Sequence, residues 1–313
     1  MGVPLPERFG WKRGAKTWFV DGLQGSDGNY GQDAENAFQT IGYAISRASA
    51  YDVIYVLDKG HDGGTDPYAY TESTTNLSIA MAKNNLAIIG VPHNIHEVYG
   101  LQIKPVSAST GPALSVYAPF TTIENLCFNK RGDGVGSCVY FRDDGDTTYQ
   151  AQGSSIYNCH LRNADMGSAA RTTAGGVYIN GGWYYTIKDC TFMDCHNGVS
   201  YTSGTSTVKK LTISGCTFNG TTTNIDTDIY GAGTVYATLI DRCNFAHEVP
   251  AFAGAGALTA YVYDLVSSGF LLSNSVFNTN DASCKDTVTN EIVTSADGTV
   301  VGCYDGAGLV AWA

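Results

Sequence analysis

The sequence predicts an all-β chain: a single-stranded right-handed parallel β-helix of about eight coils, with a short N-terminal capping helix. Three observations predict it. A six-residue phrase recurs six times, the composition is rich in turn and strand residues, and one segment of helical spacing precedes the first coil.

The phrase is an aliphatic residue, two polar or turn residues, a small residue, any residue and a large apolar one. It reads Ile123-Glu-Asn-Leu-Cys-Phe128, Ile156-Tyr-Asn-Cys-His-Leu161, Ile187-Lys-Asp-Cys-Thr-Phe192, Ile213-Ser-Gly-Cys-Thr-Phe218, Ile240-Asp-Arg-Cys-Asn-Phe245 and Leu272-Ser-Asn-Ser-Val-Phe277. Its first residues fall at 123, 156, 187, 213, 240 and 272, so the steps are 33, 31, 26, 27 and 32 residues. A constant phrase with a variable step describes a coil of fixed cross-section carrying loops of different length. The third position is Asn125, Asn158, Asp189, Gly215, Arg242 and Asn274. Five of these six are of the types that tolerate a left-handed backbone, so the position is expected to bend the chain between two short strands. Such a bend lets the first, fourth and sixth positions all face inward. Stacked coils about 4.8 Å apart then build one ladder ending in Phe277 and a second of small residues.

The second strand of each coil is expected at Cys138–Phe141, Gly176–Ile179, Gly198–Tyr201, Asp228–Tyr230 and Thr259–Tyr263. Asp52–Leu57 and Leu86–Gly90 read as opening coils and Thr299–Val301 as the last. Ile41, Ala44, Ile45 and Ala48 keep helical spacing within 38–50, where a helix would cover the open end of the first coil. Glycine supplies 37 of 313 residues and proline only 8, which excludes a mostly helical chain as well as a proline-rich one. No run approaches the roughly 18 apolar residues of a membrane span. The first 18 residues lack the apolar core of a signal peptide, so no secretion is expected.

Nine cysteines include Cys159, Cys190, Cys216 and Cys243 in the fourth, small slot of the phrase, where buried free thiols are expected. The redox state of Cys138, Cys195, Cys284 and Cys303 is left open by their positions. His160 and His196, each one residue after a cysteine, are expected at the surface, as are Asp226 and Asp228 on one solvent face.

Charge is divided unevenly. Residues 1–18 hold Arg8, Lys12, Arg13 and Lys16 against Glu7, or 4 − 1 = +3, so the rest of the net −11 chain carries −14. An acidic body argues against nucleic-acid binding. The basic arm, with Trp11 and Trp18 beside its charges, reads either as a docking segment for an acidic partner or as a solvated tail. The domain plan is thus an arm over 1–18, the β-helix over 19–303 and an apolar tail or end cap over 304–313.

Phe19-Val-Asp-Gly22, Gly25-Ser-Asp-Gly28, Ala37-Phe-Gln-Thr-Ile41 and Asp52-Val-Ile-Tyr-Val56, followed by Tyr70-Thr-Glu72 and Ile88-Ile-Gly90, resemble the opening of pectate-lyase-like β-helix proteins. The resemblance covers roughly residues 19–303. It implies the fold and leaves the function open, because that superfamily holds polysaccharide lyases, hydrolases, esterases, phage tailspikes and non-catalytic surface proteins. The motifs of its pectate lyases, polygalacturonases and pectin methylesterases are absent; Asn278-Thr-Asn-Asp281 is a broken version of one.

The remaining site candidates are few. Arg142, Asp143, Asp144 and Asp146 read as an acidic turn, with acid/base chemistry or Ca²⁺ binding as the alternative; no other cofactor or metal is expected. Asp62 and Asp66 beside His61 form a weaker cluster. Tyr149, Trp183, Tyr184 and Tyr185 read as sugar-stacking rings or as packed loop surface.

Two functions are weighed on these grounds. The preferred one is a virion structural protein of capsid-decoration, head-fibre or tailspike type. It would assemble in a host cytoplasm, dock on capsid or other virion proteins through Arg8, Trp11, Lys12, Arg13 and Lys16, and touch host surface polysaccharide. A homotrimer is one arrangement of such a protein. The alternative is a polysaccharide lyase or glycoside hydrolase working in a groove along the coil.

Overall fold

The computed structural model describes residues 14–59, 69–72, 77–91, 101–105, 111–130, 136–142, 151–164, 175–202, 207–220, 227–232, 235–247, 260–264, 269–279, 292–294, 299–305 and 308–309. The chain winds through three sheets in turn, and neighbours within each sheet pair in parallel except at the C-terminal end of the second. The first sheet starts at Thr17–Val20 and continues through Val53–Leu57 to Thr299–Val301; it has ten strands. The second, also of ten, runs from Ala69–Glu72 to an antiparallel end piece, Gly308–Leu309. The third has eight, from Leu77–Ile79 to Ile292–Thr294. This is a right-handed parallel β-helix.

The repeated phrase is the first corner. All six third-position residues are left-handed: Asn125 (φ 58), Asn158 (46), Asp189 (54), Gly215 (63), Arg242 (52) and Asn274 (49). Asn158 Nδ2 donates to Asn125 Oδ1 at 2.8 Å, so the bend residues also bond along the stack. Ile123, Ile156, Ile187, Ile213, Ile240 and Leu272 pair in register and are fully buried. The aromatic ladder is close to parallel. Phe192–Phe218, Phe218–Phe245 and Phe245–Phe277 centroids lie 4.8, 5.0 and 4.7 Å apart, with interplanar angles of 6°, 7° and 3°. The first five positions of a seventh phrase follow at Val300-Val-Gly302-Cys303-Tyr304, with Gly302 at φ 65 and Asp305 in place of the large apolar residue.

The small slot holds thiols as expected. Cys159, Cys190, Cys216 and Cys243 are buried and free, and Cys303 occupies the same slot of the seventh phrase. Each thiol donates to the carbonyl two residues earlier, as Cys159 to Tyr157 at 3.3 Å. Ser275 makes the equivalent bond to Ser273 at 2.9 Å. Cys127, Cys138 and Cys195 are also buried and free; Cys284 lies outside the described residues.

A second left-handed corner precedes the strands of the first sheet. Tyr51, Asn85, Phe120, Gly153, Tyr184, Lys210, Ala237 and Gly269 all have positive φ, between 56° and 74°. Each stands two residues before a strand of that sheet, and the residue between, from Asp52 through Tyr185 to Phe270, is buried. The column shares a backbone conformation but no residue type, so no sequence phrase announces it.

The N-terminal helix spans Ile41–Arg47, shorter than the segment of helical spacing. Thr40 caps it by accepting from Tyr43 N, and Asp27 in turn holds Thr40 through its N and Oγ1. Ile41, Ala44 and Ile45 seal the coil end beside Trp18 and Phe38. Trp18 is therefore core, buried in a strand of the first sheet, and not part of a free arm. Two further expectations fail. His196 and Asp228 are 4% and 3% exposed, because both lie where the chain enters third-sheet strands, His196 just before Asn197–Thr202 and Asp228 within Thr227–Gly231. His160 is half-buried, its Nε2 lacks a hydrogen-bond partner, and burial pulls its pKa down to about 4 with Arg162 assisting.

Candidate functional site: an aromatic and cationic corner

The second left-handed corner turns its odd residues outward. Tyr184 (φ 64) is 54% exposed, whereas Tyr185, the next residue, is buried with its ring 5.3 Å from Phe141 and its hydroxyl donating to Gly181 O at 2.9 Å. Tyr185 is thus a core residue and is withdrawn from the sugar-stacking set. The left-handed turn at Tyr184 is the physical reason, since it reverses the sense of the side chain that follows.

Neighbouring coils extend the corner. Trp183 forms a parallel bridge with Lys209, and Val208–Lys209 pairs with Val235–Tyr236 in a small fourth sheet. This backbone ladder places Lys209 Nζ 4.9 Å from the Trp183 ring and 5.9 Å from that of Tyr236. One residue on, Lys210 Nζ lies 4.7 Å from the Tyr184 ring and 3.4 Å from its hydroxyl. Phe120, 50% exposed, lies across Gly153, where a Cβ would fall 2.4 Å from the ring. Lys209, Lys210, Tyr236 and Phe120 were missed in the sequence because only the corner, and no repeated motif, brings them to Trp183 and Tyr184.

Arg142 stands where the third sheet runs toward the same corner. Its Nη1 donates to the Tyr117 hydroxyl, and its guanidinium lies 5.0 Å from the Tyr117 ring and 5.1 Å from that of Tyr140. Tyr140 stacks on Tyr178 at 4.6 Å, and Asn180 Nδ2 donates to the Tyr140 hydroxyl at 3.1 Å. Arg142 is therefore held by tyrosines. Asp143, Asp144, Asp146 and Tyr149 lie outside the described residues, as do Asp62, Asp66 and His61 and the arm residues Arg8, Trp11, Lys12 and Arg13. Lys16 is exposed with its Nζ 5.5 Å from the Trp18 ring. Among the described residues no three His, Cys, Asp or Glu side chains converge in a metal-binding group.

The surface is chemically suited to a saccharide. Exposed aromatic faces stack on the apolar faces of sugar rings, and the lysines and Arg142 supply hydrogen-bond donors beside them.

In structure the chain is similar to several β-helix proteins. A GH136 lacto-N-biosidase from Eubacterium ramulus matches at TM-score 0.60 and 11% identity over 93% of this chain and 55% of its own. ORF18 of Geobacillus virus E2 matches at 0.56 and 14% over 85% and 49%. A pectin methylesterase from Aspergillus niger matches at 0.53 and 14% over 96% and 88%. The chain thus spans about half the length of the first two. No family model matches it, and no curated protein matches it in sequence. These likenesses define the class of fold and leave the activity to the site.

Proposed function

We propose that the chain is a virion structural protein of capsid-decoration, head-fibre or tailspike type, anchored through its N-terminal segment, whose rod contacts host surface glycans at the Trp183–Tyr184 corner. The carrying observation is that corner itself: exposed Tyr184, Tyr236 and Lys210 beside half-buried Trp183 and Lys209, placed by a β-ladder. The likeness of fold to a Geobacillus virus protein supports the virion context. So do eight buried free cysteines among the described residues, which suit folding in a reducing compartment.

Glycan cleavage is the second reading, in line with the fold of the lacto-N-biosidase and the methylesterase. One observation favours it. Asp194 and Asp228 are both buried, and the charge of each raises the Cys195 thiol, so both carboxylates lie within electrostatic reach of that thiol. The test is binding and turnover by the purified full-length chain on a polysaccharide panel, following bound ligand, reducing ends and unsaturated-uronate absorbance. Binding without turnover, lost in Trp183→Ala, is the expected result. Turnover abolished by Asp194→Asn or Asp228→Asn replaces this reading with the second.

A further inference from the structure

We infer that the surface from Arg142 across the corner to Lys210 selects anionic glycans, whose carboxylate or phosphate groups meet Arg142, Lys209 and Lys210 while their rings lie on the aromatic faces. This rests on the glycan-contact reading above and adds the chemical class of the ligand.

Three observations carry it. First, each cation is held against rings instead of acids: Arg142 by Tyr117 and Tyr140, Lys209 by Trp183 and Tyr236, Lys210 by Tyr184. None of the three is ion-paired to a carboxylate among the described residues. Second, acids are abundant in this chain, which carries 29 Asp and Glu against 18 Lys and Arg. Elsewhere cations do meet them, as Lys188 lies 3.8 Å from Asp189 and Arg242 2.8 Å from Asp241. Lys209 and Lys210, adjacent in sequence and each held on a ring, make a local concentration of positive charge on an acidic body. Third, Arg142 Nε is buried without an acceptor. Its Nη1 donates to the neutral Tyr117 hydroxyl, so the guanidinium keeps its full charge at the end of the third-sheet strand. Cation–ring contacts hold these groups in place without neutralising them.

Calorimetric titration of the full-length chain tests this with alginate, carboxyl-reduced alginate, a glycerol-phosphate teichoic acid and dextran, each at low and at physiological salt. The expected result is binding to an anionic polymer at least about tenfold tighter than to carboxyl-reduced alginate and dextran. That preference shrinks as salt rises. Alginate and teichoic acid tell carboxylate from phosphate. Lys209→Gln/Lys210→Gln and Arg142→Gln, with unchanged thermal melts, each remove most of the preference. The salt dependence of the wild-type chain reads the same point if a variant fails to fold. Equal binding of charged and neutral polymers overturns the inference and leaves the glycan reading standing. Binding to none of the four removes both.

Discussion

Trp18 donates its indole N–H to Asp52 Oδ2 at 2.8 Å, tying the first strand of the rod to the corner that opens the next coil. Lys16 N and Ser49 N donate to the same carboxylate, each at 2.8 Å. A buried anion with three N–H donors is stabilising while its partners remain and costly to disrupt. Asp52→Ala is expected to cost about 2–4 kcal/mol by denaturant unfolding. Lys16→Gln, which keeps the backbone donor, is expected to change stability by less than about 0.5 kcal/mol.

The same contact sets the limits of a docking test. Deleting 1–18 would remove a core tryptophan and half of the first strand, and would confuse docking with unfolding. Removing residues 1–13 keeps the Lys16 and Trp18 contacts to Asp52. That truncated chain is expected to keep its melting temperature and to lose incorporation into particles; normal incorporation would show that Arg8, Trp11, Lys12 and Arg13 do not anchor it.

The aromatic ladder predicts a different scale of effect. Phe218 is flanked at 4.8 and 5.0 Å by Phe192 and Phe245, so Phe218→Ala opens a cavity in the middle of the stack. The expected loss is about 3–5 kcal/mol. Tyr184→Ala, at an exposed corner, should cost under about 1 kcal/mol while weakening glycan binding. Chemical denaturation of the two variants compares them directly.

Burial raises Cys159 and Cys195 to about 12, and a side-chain hydrogen bond with Cys190, with burial behind it, raises Cys216 well above the ordinary thiol value. Thiol alkylation requires thiolate and access, and these positions provide little of either. The native chain is expected to leave all eight described cysteines unmodified by iodoacetamide at pH 8, and to react fully in denaturant. Cys159→Ser should retain the fold, since Ser275 already fills this slot with the same carbonyl bond. Rapid labelling of Cys159 in the native chain would contradict the packing described above.

His160 supplies a pH test. Its folded pKa of about 4 lies below the ordinary histidine value, so the unfolded chain takes up a proton first as pH falls. Its contribution is present above pH 6.5, is lost between 6.5 and about 4, and changes no further below that. The loss is on the order of 3 kcal/mol. Melting temperatures across this window should fall less steeply for His160→Gln than for the wild type; parallel profiles would place the proton uptake elsewhere.

Much of the fold was legible because one corner of the coil needs particular chemistry. Asn125, Asn158, Asp189 and Gly215 advertise a left-handed bend, and once aligned they carry even Arg242 into register. The other corner, through Phe120, Tyr184 and Lys210, demands the same backbone and is met by unrelated side chains. It left no mark in the sequence, and with it went the site. Trp183 and Tyr184 were visible as aromatic residues, but nothing in the chain order joins them to Lys209, Lys210 or Tyr236, which arrive from later coils. His196 and Asp228 misled for a related reason. Polar residues read as surface, yet entry into the third sheet buries them.

Tryptophan fluorescence tests the central claim most directly. The chain has four tryptophans, Trp11, Trp18, Trp183 and Trp312, and Trp183 alone belongs to the proposed contact corner. Titration of the full-length chain with the anionic polymer that binds by calorimetry should give a saturable emission change, absent in Trp183→Phe while Trp18 emission persists. An unaltered change in Trp183→Phe, or calorimetric binding with no emission change in the wild type, would contradict a glycan site at this corner.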